Sequence, residues 1–383
     1  MESNKIVFVF PSYPDVMYSF LLSFAKRFDG EIEIFCLNPI LKEREGLYVE
    51  DELGKYATVT FCPKDDGKDA VISDMLARNR EAVFVFGGFL GDVGHVLSMY
   101  NASSGKKGIV VTEKPSIRPT KRFKRVIRLL KKIKTKRVYS GAYKAFKESI
   151  QAVLVTGEKG VNQLRGYGIP DEKLYNFMYT HIDEDIQSRR HKIEDKVKFV
   201  YVGRFNYLNR GMDSLMYAFS DIPYKNWSLD LVGGYGEDAD EIIAWAEKNE
   251  NVNYGGSWKS NEVINNLQDY DVCISPTRID GWRIQVNQAI LAGIGTITTE
   301  EAISDELVKK SDSGAVVDAF KPKALREAVL RVLENPQLVE AWKDNTVEYR
   351  SCISNERIAE YFDEIIGYAV EKNNKDKPRC PWL

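Results

Sequence analysis

Two arginines stand beside glycines in the stretch VGRFNYLNRG, residues 202–211. Arg204 follows an apolar run that predicts a strand, and Arg210 precedes Gly211 at the start of a helical pattern. Guanidinium groups can bind a phosphate through two parallel hydrogen bonds, and they keep their charge. Two such groups beside a cleft suit a diphosphate, although a pair of surface arginines would have the same spacing.

A second stretch, ISPTRIDGWRIQVNQAILAG at residues 274–293, runs from an apolar segment through a turn into a helical pattern. Its apolar residues recur at helical spacing and predict a buried stripe, whereas Gln285 and Gln288 share another face. Gly281 and Trp282 precede the first helical turn, where unpaired backbone N–H groups and the helix dipole favour a phosphate. This turn is therefore a second candidate for anion binding.

Several common functional classes lack their patterns in this chain. Neither stretch is a GxxxxGK[ST] phosphate loop, and the first predicted strand is followed by PSYPD instead of a GxGxxG dinucleotide fingerprint. The 5 cysteines have no CxxC spacing, which argues against a zinc site or a disulfide framework and indicates reduced thiols. The net charge of −2 excludes a uniformly basic nucleic-acid-binding protein.

Short apolar runs alternate with helical patterns along the chain, which predicts an α/β protein with parallel sheets. In the first half the predicted strands are residues 5–10, 31–37, 58–61, 82–86, 108–112, 152–156 and 174–179. In the second half they are residues 197–203, 228–234, 252–256, 271–276, 295–299 and 315–318. We therefore expect two successive doubly wound domains, joined by the highly charged segment 181–196.

Four motifs follow one another in the second half: YVGRFNYLNRG, LDLVGGYGED, YDVCISPTR and DGWRIQVNQAILAG. In this order and spacing, from about residue 197 to 335, they resemble the nucleotide-sugar domain of the family 4 retaining glycosyltransferases, also called glycosyl transferases group 1. The resemblance implies the GT-B fold, which has two facing Rossmann-like doubly wound parallel-sheet domains with a cleft between them. In that fold the second domain holds most of the donor and the first domain holds the acceptor.

The resemblance also implies how the chain is divided. Residues 1–190 would form the acceptor-side domain, and residues 191–353 would form the nucleotide-sugar-binding domain. Residues 354–383 would contain a final helix that crosses back to the first domain, which agrees with the amphipathic pattern of residues 354–371.

Matched position by position, Arg204 and Arg210 take the places of the Arg and Lys that clamp the donor diphosphate in the family. Asp280 and Gln288 take the places of the two glutamates of its E-x7-E signature, so this chain reads D-x7-Q. The resemblance implies that Asp280 lies by the donor sugar as a catalytic residue and that Gln288 binds the ribose. Arg283 replaces a common glycine, and it either adds a third positive charge to the site or partly fills it. The expected donor-binding residues are Gly203, Arg204, Arg210, Gly281, Trp282, Arg283, Ile284, Gln285 and Gln288.

In the first domain, Glu113 stands at the end of a predicted strand within VVTEKP. A carboxylate there could act as a catalytic residue that orients or deprotonates an acceptor hydroxyl, although a capping or surface glutamate fits equally well. The glycine-rich FGGFLGD, residues 86–92, is a second candidate for this cleft.

Metal ions and cofactors are not expected. Asp238 and Asp240 form a literal DxD triplet, but acids at a helix start are explained by capping and dipole effects. His95, His181 and His191 have no ligand spacing and are expected to be structural or to face solvent. In the GT-B resemblance, arginines and a helix terminus stabilise the leaving diphosphate in place of a metal.

The segment KPSIRPTKRFKRVIRLLKKIKTKR, residues 114–137, holds twelve Lys and Arg and no acid. Apolar residues at helical spacing predict a basic amphipathic helix over residues 120–137. Such a helix suits an anionic membrane surface, where each basic residue contributes ~1 kcal/mol. A plainly solvated helix is the alternative, whereas few aromatic residues are present to stack on a nucleic acid.

Together these features predict a metal-independent, retaining hexosyltransferase that moves a sugar from a nucleoside diphosphate to a glycan. The basic helix suggests a lipid-linked acceptor in bacterial surface polysaccharide biosynthesis. With no signal-peptide pattern and no apolar run of membrane-spanning length, we expect a cytoplasmic protein at the inner face of the cell membrane. The alternative is a non-catalytic nucleotide-sugar-binding or scaffold protein, while an epimerase would need more catalytic acids and histidines.

Overall fold

The computed structural model describes residues 4–39, 52–63, 67–116, 124–180, 186, 192–193, 195–373 and 376–383. The chain divides into two compact units. Of the described residues, unit 1 comprises those within 1–117, 121–181 and 355–381, and unit 2 comprises those within 182–354 and 382–383. Within the described residues, no helix is both long enough and apolar enough to span a bilayer.

Unit 1 is built on a parallel sheet. Its strands are β1 (Lys5–Phe10), β2 (Glu31–Cys36), β3 (Thr58–Phe61), β4 (Val83–Phe86), β5 (Gly108–Thr112), β6 (Ile150–Thr156) and β7 (Leu174–Phe177). Its first helices are α1 (Tyr18–Arg27), α2 (Lys68–Arg78), α3 (Gly91–Ala102), α4 (Lys124–Phe146) and α5 (Glu158–Arg165). The strand order is β3-β2-β1-β4-β5-β6-β7, so the winding reverses between β1 and β4.

Unit 2 repeats this architecture with a second parallel sheet. Its strands are β8 (Val197–Gly203), β9 (Trp227–Gly233), β10 (Val252–Tyr254), β11 (Val272–Ser275), β12 (Gly295–Thr299) and β13 (Gly314–Val317). Its helices are α6 (Tyr207–Arg210), α7 (Met212–Phe219), α8 (Ala239–Glu247), α9 (Val263–Leu267), α10 (Ile284–Ala292), α11 (Asp305–Ser311), α12 (Pro322–Glu334) and α13 (Gln337–Tyr349). The order β10-β9-β8-β11-β12-β13 reverses between β8 and β11.

The predicted fold class is confirmed, since each unit is a doubly wound α/β sheet and every predicted strand is present. Central strands such as β4 and β11 are buried at every position, which explains their continuous apolar runs. No strand boundary differs from its predicted position by more than two residues, and β6, for example, begins at Ile150, two residues before its predicted start. Gln151 is polar and half-buried there, so apolar content alone did not include it in the strand.

Helix α4 is longer than the predicted basic helix of residues 120–137, since it continues to Phe146. The start of the basic segment, residues 117–123, lies outside the described residues. Beyond residue 137, Tyr139, Ala142, Tyr143 and Phe146 recur at helical spacing and pack on the core of unit 1. The basic residues therefore predicted only the first part of this helix, and the packing of its last turns on the core of unit 1 determines where it ends.

The last helix, α14 (Asn355–Ala369), packs against α1 within unit 1. Its Phe362 is fully buried, and its ring centroid lies 5.1 Å from that of Phe24 and 5.2 Å from that of Phe20, both edge to face. Phe8 of β1 and Phe177 of β7 complete this aromatic cluster. The helix is therefore an integral part of the core of unit 1.

Replacing Phe362 by alanine should destabilise unit 1 strongly, because it leaves a cavity among four other rings. We expect the free energy of unfolding to fall by about 3–5 kcal/mol in denaturant titration. Glu356→Gln on the exposed first turn of the same helix is the matched control, with an expected change within about 0.5 kcal/mol. Equal stability of the two variants would contradict this packing.

Candidate functional site

The winding of unit 2 reverses between β8 and β11, and open α/β sheets bind ligands beyond the carboxyl ends of strands at such a point. Strand β8 ends at Gly203 with φ +142, and its neighbour β9 ends at Gly233 with φ +137. A Cβ atom on Gly233 would lie only 2.0 Å from the carbonyl oxygen of Gly203. Glycine is required here because the two backbones approach so closely.

Helix α6 positions Arg210 at this edge of the sheet. Asn206 caps the helix by accepting the backbone N–H of Asn209 at 2.8 Å. The helix ends at Gly211 in the left-handed conformation, φ +65, where a Cβ would lie 2.1 Å from the carbonyl oxygen of Pro276. The end of α6 therefore lies against the turn that follows β11.

Arg210 and Asp280 form an ion pair within this site. The Arg210 Nη1 also lies 3.4 Å from the Thr277 hydroxyl, and Asp280 Oδ1 accepts the backbone N–H of Gly281 at 2.9 Å. Burial lowers the pKa of Arg210, but the neighbouring Asp280 more than reverses this effect and leaves that pKa raised. The structure thus brings together one predicted phosphate-binding residue and the predicted catalytic acid.

Arg204 differs from Arg210 in being exposed to solvent. Its guanidinium carbon lies 5.5 Å from the ring centroid of Tyr235, which is a cation–π arrangement. Its backbone carbonyl accepts the hydroxyl of Tyr201 at 2.7 Å. The side chain is therefore available to a ligand, while its backbone is fixed to strand β8.

Arg283 is buried between β8 and β11, with 3% of its surface exposed. Its Nε donates to the Ser275 hydroxyl at 2.9 Å, and its Nη2 donates to the Val202 carbonyl at 2.8 Å. Burial lowers the pKa of Arg283, and the charge of Arg210 lowers it further. Arg283 therefore fills the space between the ends of β8 and β11, which is one of its two expected roles. Its positive charge also lies within the site.

The remaining predicted donor residues lie on α10 and the turn before it. Trp282 is buried, and its indole N–H donates to Asn287 at 2.9 Å, so the ring serves the core. Gln285 is half-buried and Gln288 is 3% exposed. Little of α10 is therefore accessible to a ligand, because this helix packs against α9, α11 and α13.

The backbone N–H groups near Gly281, expected to bind phosphate, already have partners at two positions. The N–H of Gly281 donates to Asp280, and that of Arg283 donates to the carbonyl of Ala302 at 3.0 Å. Ile284 begins α10. The arginine side chains are therefore better placed than this turn to contribute positive charge to a ligand.

Sequence reasoning missed Arg278, which fixes the position of α6. Its Nη1 donates to the Tyr207 carbonyl at 2.9 Å, and its Nη2 donates to Asp213 at 2.8 Å and to the Ser214 hydroxyl at 2.7 Å. Its own backbone N–H donates to the Asn209 carbonyl at 2.8 Å. Because these partners are more than sixty residues away in sequence, no local pattern could have identified the role of this residue.

In unit 1, Glu113 is exposed just beyond β5. Burial raises the pKa of Tyr179 well above its ordinary value, and the charge of Glu113 adds to this rise. Burial also raises the pKa of Tyr139 on α4. The ring centroid of Tyr139 lies 6.2 Å from that of Phe89 in the FGGFLGD segment. The charge of Glu113 thus acts on two phenols whose raised pKa keeps them neutral.

The acidic triplet has a structural role in unit 2. Asp238 Oδ2 accepts the backbone N–H of Tyr207 at 2.7 Å, and Asp240 lies in the first turn of α8. In the described parts of the chain, no group of three or more His, Cys, Asp or Glu could hold a metal ion. His95 contacts Asp69 at 2.9 Å on the surface, and His181 and His191 lie outside the described residues.

Comparisons with known proteins agree with this geometry. Residues 183–349 match the model of the family described as glycosyl transferases group 1. Among solved structures, WaaG, a glycosyltransferase involved in lipopolysaccharide biosynthesis, is 15% identical with a TM-score of 0.65, covering 95% of this chain and 99% of WaaG. HepE of Anabaena, solved with UDP and glucose, is 12% identical with a TM-score of 0.68, covering 95% and 99%.

A third structure is sucrose-phosphate synthase from Thermosynechococcus elongatus, which is 15% identical with a TM-score of 0.69, covering 96% of this chain and 100% of that one. A search of curated proteins gave no match. At these identities the structural likeness shows the fold alone. The protein has the GT-B class of fold, and residues 183–349 of unit 2 match the glycosyl transferases group 1 model, which agrees with the resemblance drawn from the motifs.

The Arg210–Asp280 pair generates a prediction about anion binding. In Asp280→Asn, Arg210 keeps its charge without a carboxylate partner, so we expect the free energy of unfolding to fall by about 1–3 kcal/mol. Inorganic pyrophosphate should restore more stability to this variant than to the wild-type protein, because it supplies the missing negative charge. Thermal unfolding with and without pyrophosphate measures both effects.

Arg210→Ala should lose the stabilisation by pyrophosphate, and Arg331→Ala on the exposed face of α12 is its matched control and should keep it. If pyrophosphate stabilises Arg210→Ala and the control equally, Arg210 does not bind the anion.

Proposed function

We propose that the protein is a retaining glycosyltransferase that uses a nucleoside diphosphate sugar as donor. The observation that carries this proposal is the Arg210–Asp280 pair at the β8–β11 switch point, inside the segment that matches the glycosyl transferases group 1 family. HepE was solved with UDP and with glucose, which supports UDP-sugars as the first donors to test.

In the proposed reaction, the anomeric carbon of the donor loses its bond to the diphosphate and gains one to an acceptor hydroxyl. Arg204 and Arg210 bind the diphosphate and stabilise the charge that develops as it leaves. Asp280, already held by Arg210, orients the hydroxyls of the donor sugar. The positive charge needed for the leaving group comes from arginines, so this proposal includes no metal ion and no cofactor.

Glu113 of unit 1 is assigned to the acceptor. Its carboxylate orients the attacking hydroxyl or accepts its proton, since a carboxylate is acceptor-only when ionised. Its exposure at the end of β5 and the tyrosines beside it support this assignment. Phenols and carboxylates together offer the donors and acceptors that sugar hydroxyls require.

The acceptor is proposed to be a lipid-linked glycan, held at an anionic membrane surface by α4. Leu129, Leu130 and Ile133 are 58%, 60% and 43% exposed on the first part of this helix. Lys131, Lys132 and further basic residues stand among them. Exposed leucines within a basic helix suit the boundary between lipid headgroups and acyl chains, where both kinds of side chain are satisfied. Cytoplasmic localisation, peripheral association with the cell membrane and a role in surface polysaccharide assembly belong to this proposal.

Donor binding and turnover test the reaction. Calorimetry with UDP-, GDP- and dTDP-sugars should find one donor class that binds, and assays with that donor should detect slow hydrolysis without acceptor. Glu113→Gln should leave donor affinity unchanged and lower transfer by about 10²-fold, because it removes only the proton acceptor. Glu158→Gln, at the exposed first turn of α5, is the matched control and should retain full transfer.

The alternative, a non-catalytic nucleotide-sugar-binding or scaffold protein, predicts a different pattern. It would show tight donor binding that Arg204→Ala abolishes, with neither hydrolysis nor transfer to any glycan. Failure of every nucleotide sugar to bind would reject both functions.

Flotation with vesicles of phosphatidylglycerol and phosphatidylcholine tests the membrane proposal. The test variant changes four lysines of α4 to glutamine: Lys131, Lys132, Lys134 and Lys136. Partitioning should fall by at least about tenfold, since each basic residue contributes ~1 kcal/mol near an anionic surface.

The matched control changes four exposed lysines elsewhere to glutamine: Lys106, Lys248, Lys310 and Lys323. It has the same net charge as the test variant and should float like the wild-type protein. Equal flotation of the two variants, or none by the wild-type protein, would reject membrane binding through α4.

A further inference from the structure

The guanidinium of Arg283 bridges the two strands that border the switch point of unit 2. It donates to the Val202 carbonyl on β8 at 2.8 Å and to the Ser275 hydroxyl at the end of β11 at 2.9 Å. A Cβ atom on Gly203 would lie 2.8 Å from its Nη2. The positive charge of Arg283 therefore lies directly beneath the backbone at which a ligand of this sheet is expected.

Arg283 is also connected to Arg204 through one intermediate side chain. Its guanidinium lies beside the ring of Tyr201, whose hydroxyl donates to the backbone carbonyl of Arg204 at 2.7 Å. The guanidinium carbon lies 5.7 Å from the Tyr201 ring centroid, so ring and cation are in contact. Tyr201 is fully buried, and its phenol therefore has few alternative positions.

The charges around Arg283 do not cancel. The Asp280 carboxylate forms its ion pair with Arg210, while the Arg283 guanidinium donates to two neutral groups, the Ser275 hydroxyl and the Val202 carbonyl. Arg210 and Arg283 repel one another. Two arginines and one aspartate therefore leave one net positive charge at the switch point, and a bound anion would relieve the repulsion.

We propose that Arg283 is a positioning residue for the donor diphosphate: it fixes Arg204 through Tyr201 and supplies the uncompensated positive charge beneath Gly203. This inference rests on the proposed function, because it takes the diphosphate of that donor as its ligand. It assigns to Arg283, between β8 and β11, a charge in addition to those of Arg204 and Arg210. A glycine at this position would leave the ends of β8 and β11 without that bridge.

The test compares UDP with uridine, which has the same base and ribose but no phosphate. In Arg283→Met, the dissociation constant for UDP should rise by at least about tenfold, which corresponds to the loss of one charge-assisted interaction. The affinity for uridine, measured by ligand-observed NMR, should stay within about twofold. Arg350→Met is the matched control, because it removes a partly buried guanidinium that contacts the other end of α10 through the Ile290 carbonyl at 3.3 Å.

Tyr201→Phe tests the positioning step without removing a charge. It should weaken UDP binding about threefold to fivefold, because the Arg204 backbone loses its hydrogen bond. In an Arg204→Ala background the same change should have no further effect, since the residue that it positions is already absent. Full additivity of the two changes would overturn the link through Tyr201.

The outcomes separate this inference from the proposed function. If the wild-type protein binds UDP and Arg283→Met binds it equally well, only the role of Arg283 is wrong. If Arg283→Met loses UDP and uridine to the same extent, the residue is merely structural and the inference is overturned. If the wild-type protein binds no nucleoside diphosphate, the proposed donor site fails and the inference fails with it.

Discussion

The adjacency of β8 and β11 is the constraint on which the rest of the site depends. The winding of the unit 2 sheet reverses between these strands, and the carboxyl ends of strands at such a point are where open α/β sheets bind their ligands. Strands β8 and β9 end in glycines because the backbones of Gly203 and Gly233 approach too closely for a side chain. Arg283 links β8 to β11 by hydrogen bonds to Val202 and Ser275. The surface at this point carries a net positive charge from Arg210, Arg283 and Asp280, which suits an anionic ligand.

In this site, a few side chains fix the positions of the residues proposed to bind the donor. Arg278 holds α6 through the Tyr207 carbonyl, and α6 presents Arg210 to Asp280. Tyr201 holds the backbone of Arg204. Because Arg278 and Tyr201 determine where Arg210 and Arg204 lie, we expect little reorganisation when a diphosphate binds. Preorganised charge of this kind is a main means of stabilising a leaving group.

Much of this arrangement could be predicted from the sequence. Buried parallel strands have continuous apolar runs, so their number and the doubly wound class were predictable, and ordered motifs placed Arg204, Arg210 and Asp280 in one site. The partners of Arg278 and the burial of Gln288 were not predictable, because they depend on elements distant in sequence. Arg283 shows the limit of sequence-based prediction. From the sequence it could either add a positive charge to the site or partly fill it, and only the fold shows that it lies beneath Gly203.

The proposed function requires that unit 2 bind the diphosphate of a nucleotide at the β8–β11 switch point. A crystal structure of the protein with UDP tests it most directly. We expect the diphosphate to lie beside Gly203, with its oxygens within hydrogen-bond distance of Arg204 and Arg210 and without direct contact to Arg283. A diphosphate bound elsewhere on unit 2, with the Arg210–Asp280 ion pair unchanged, would show that this switch point is not the donor site.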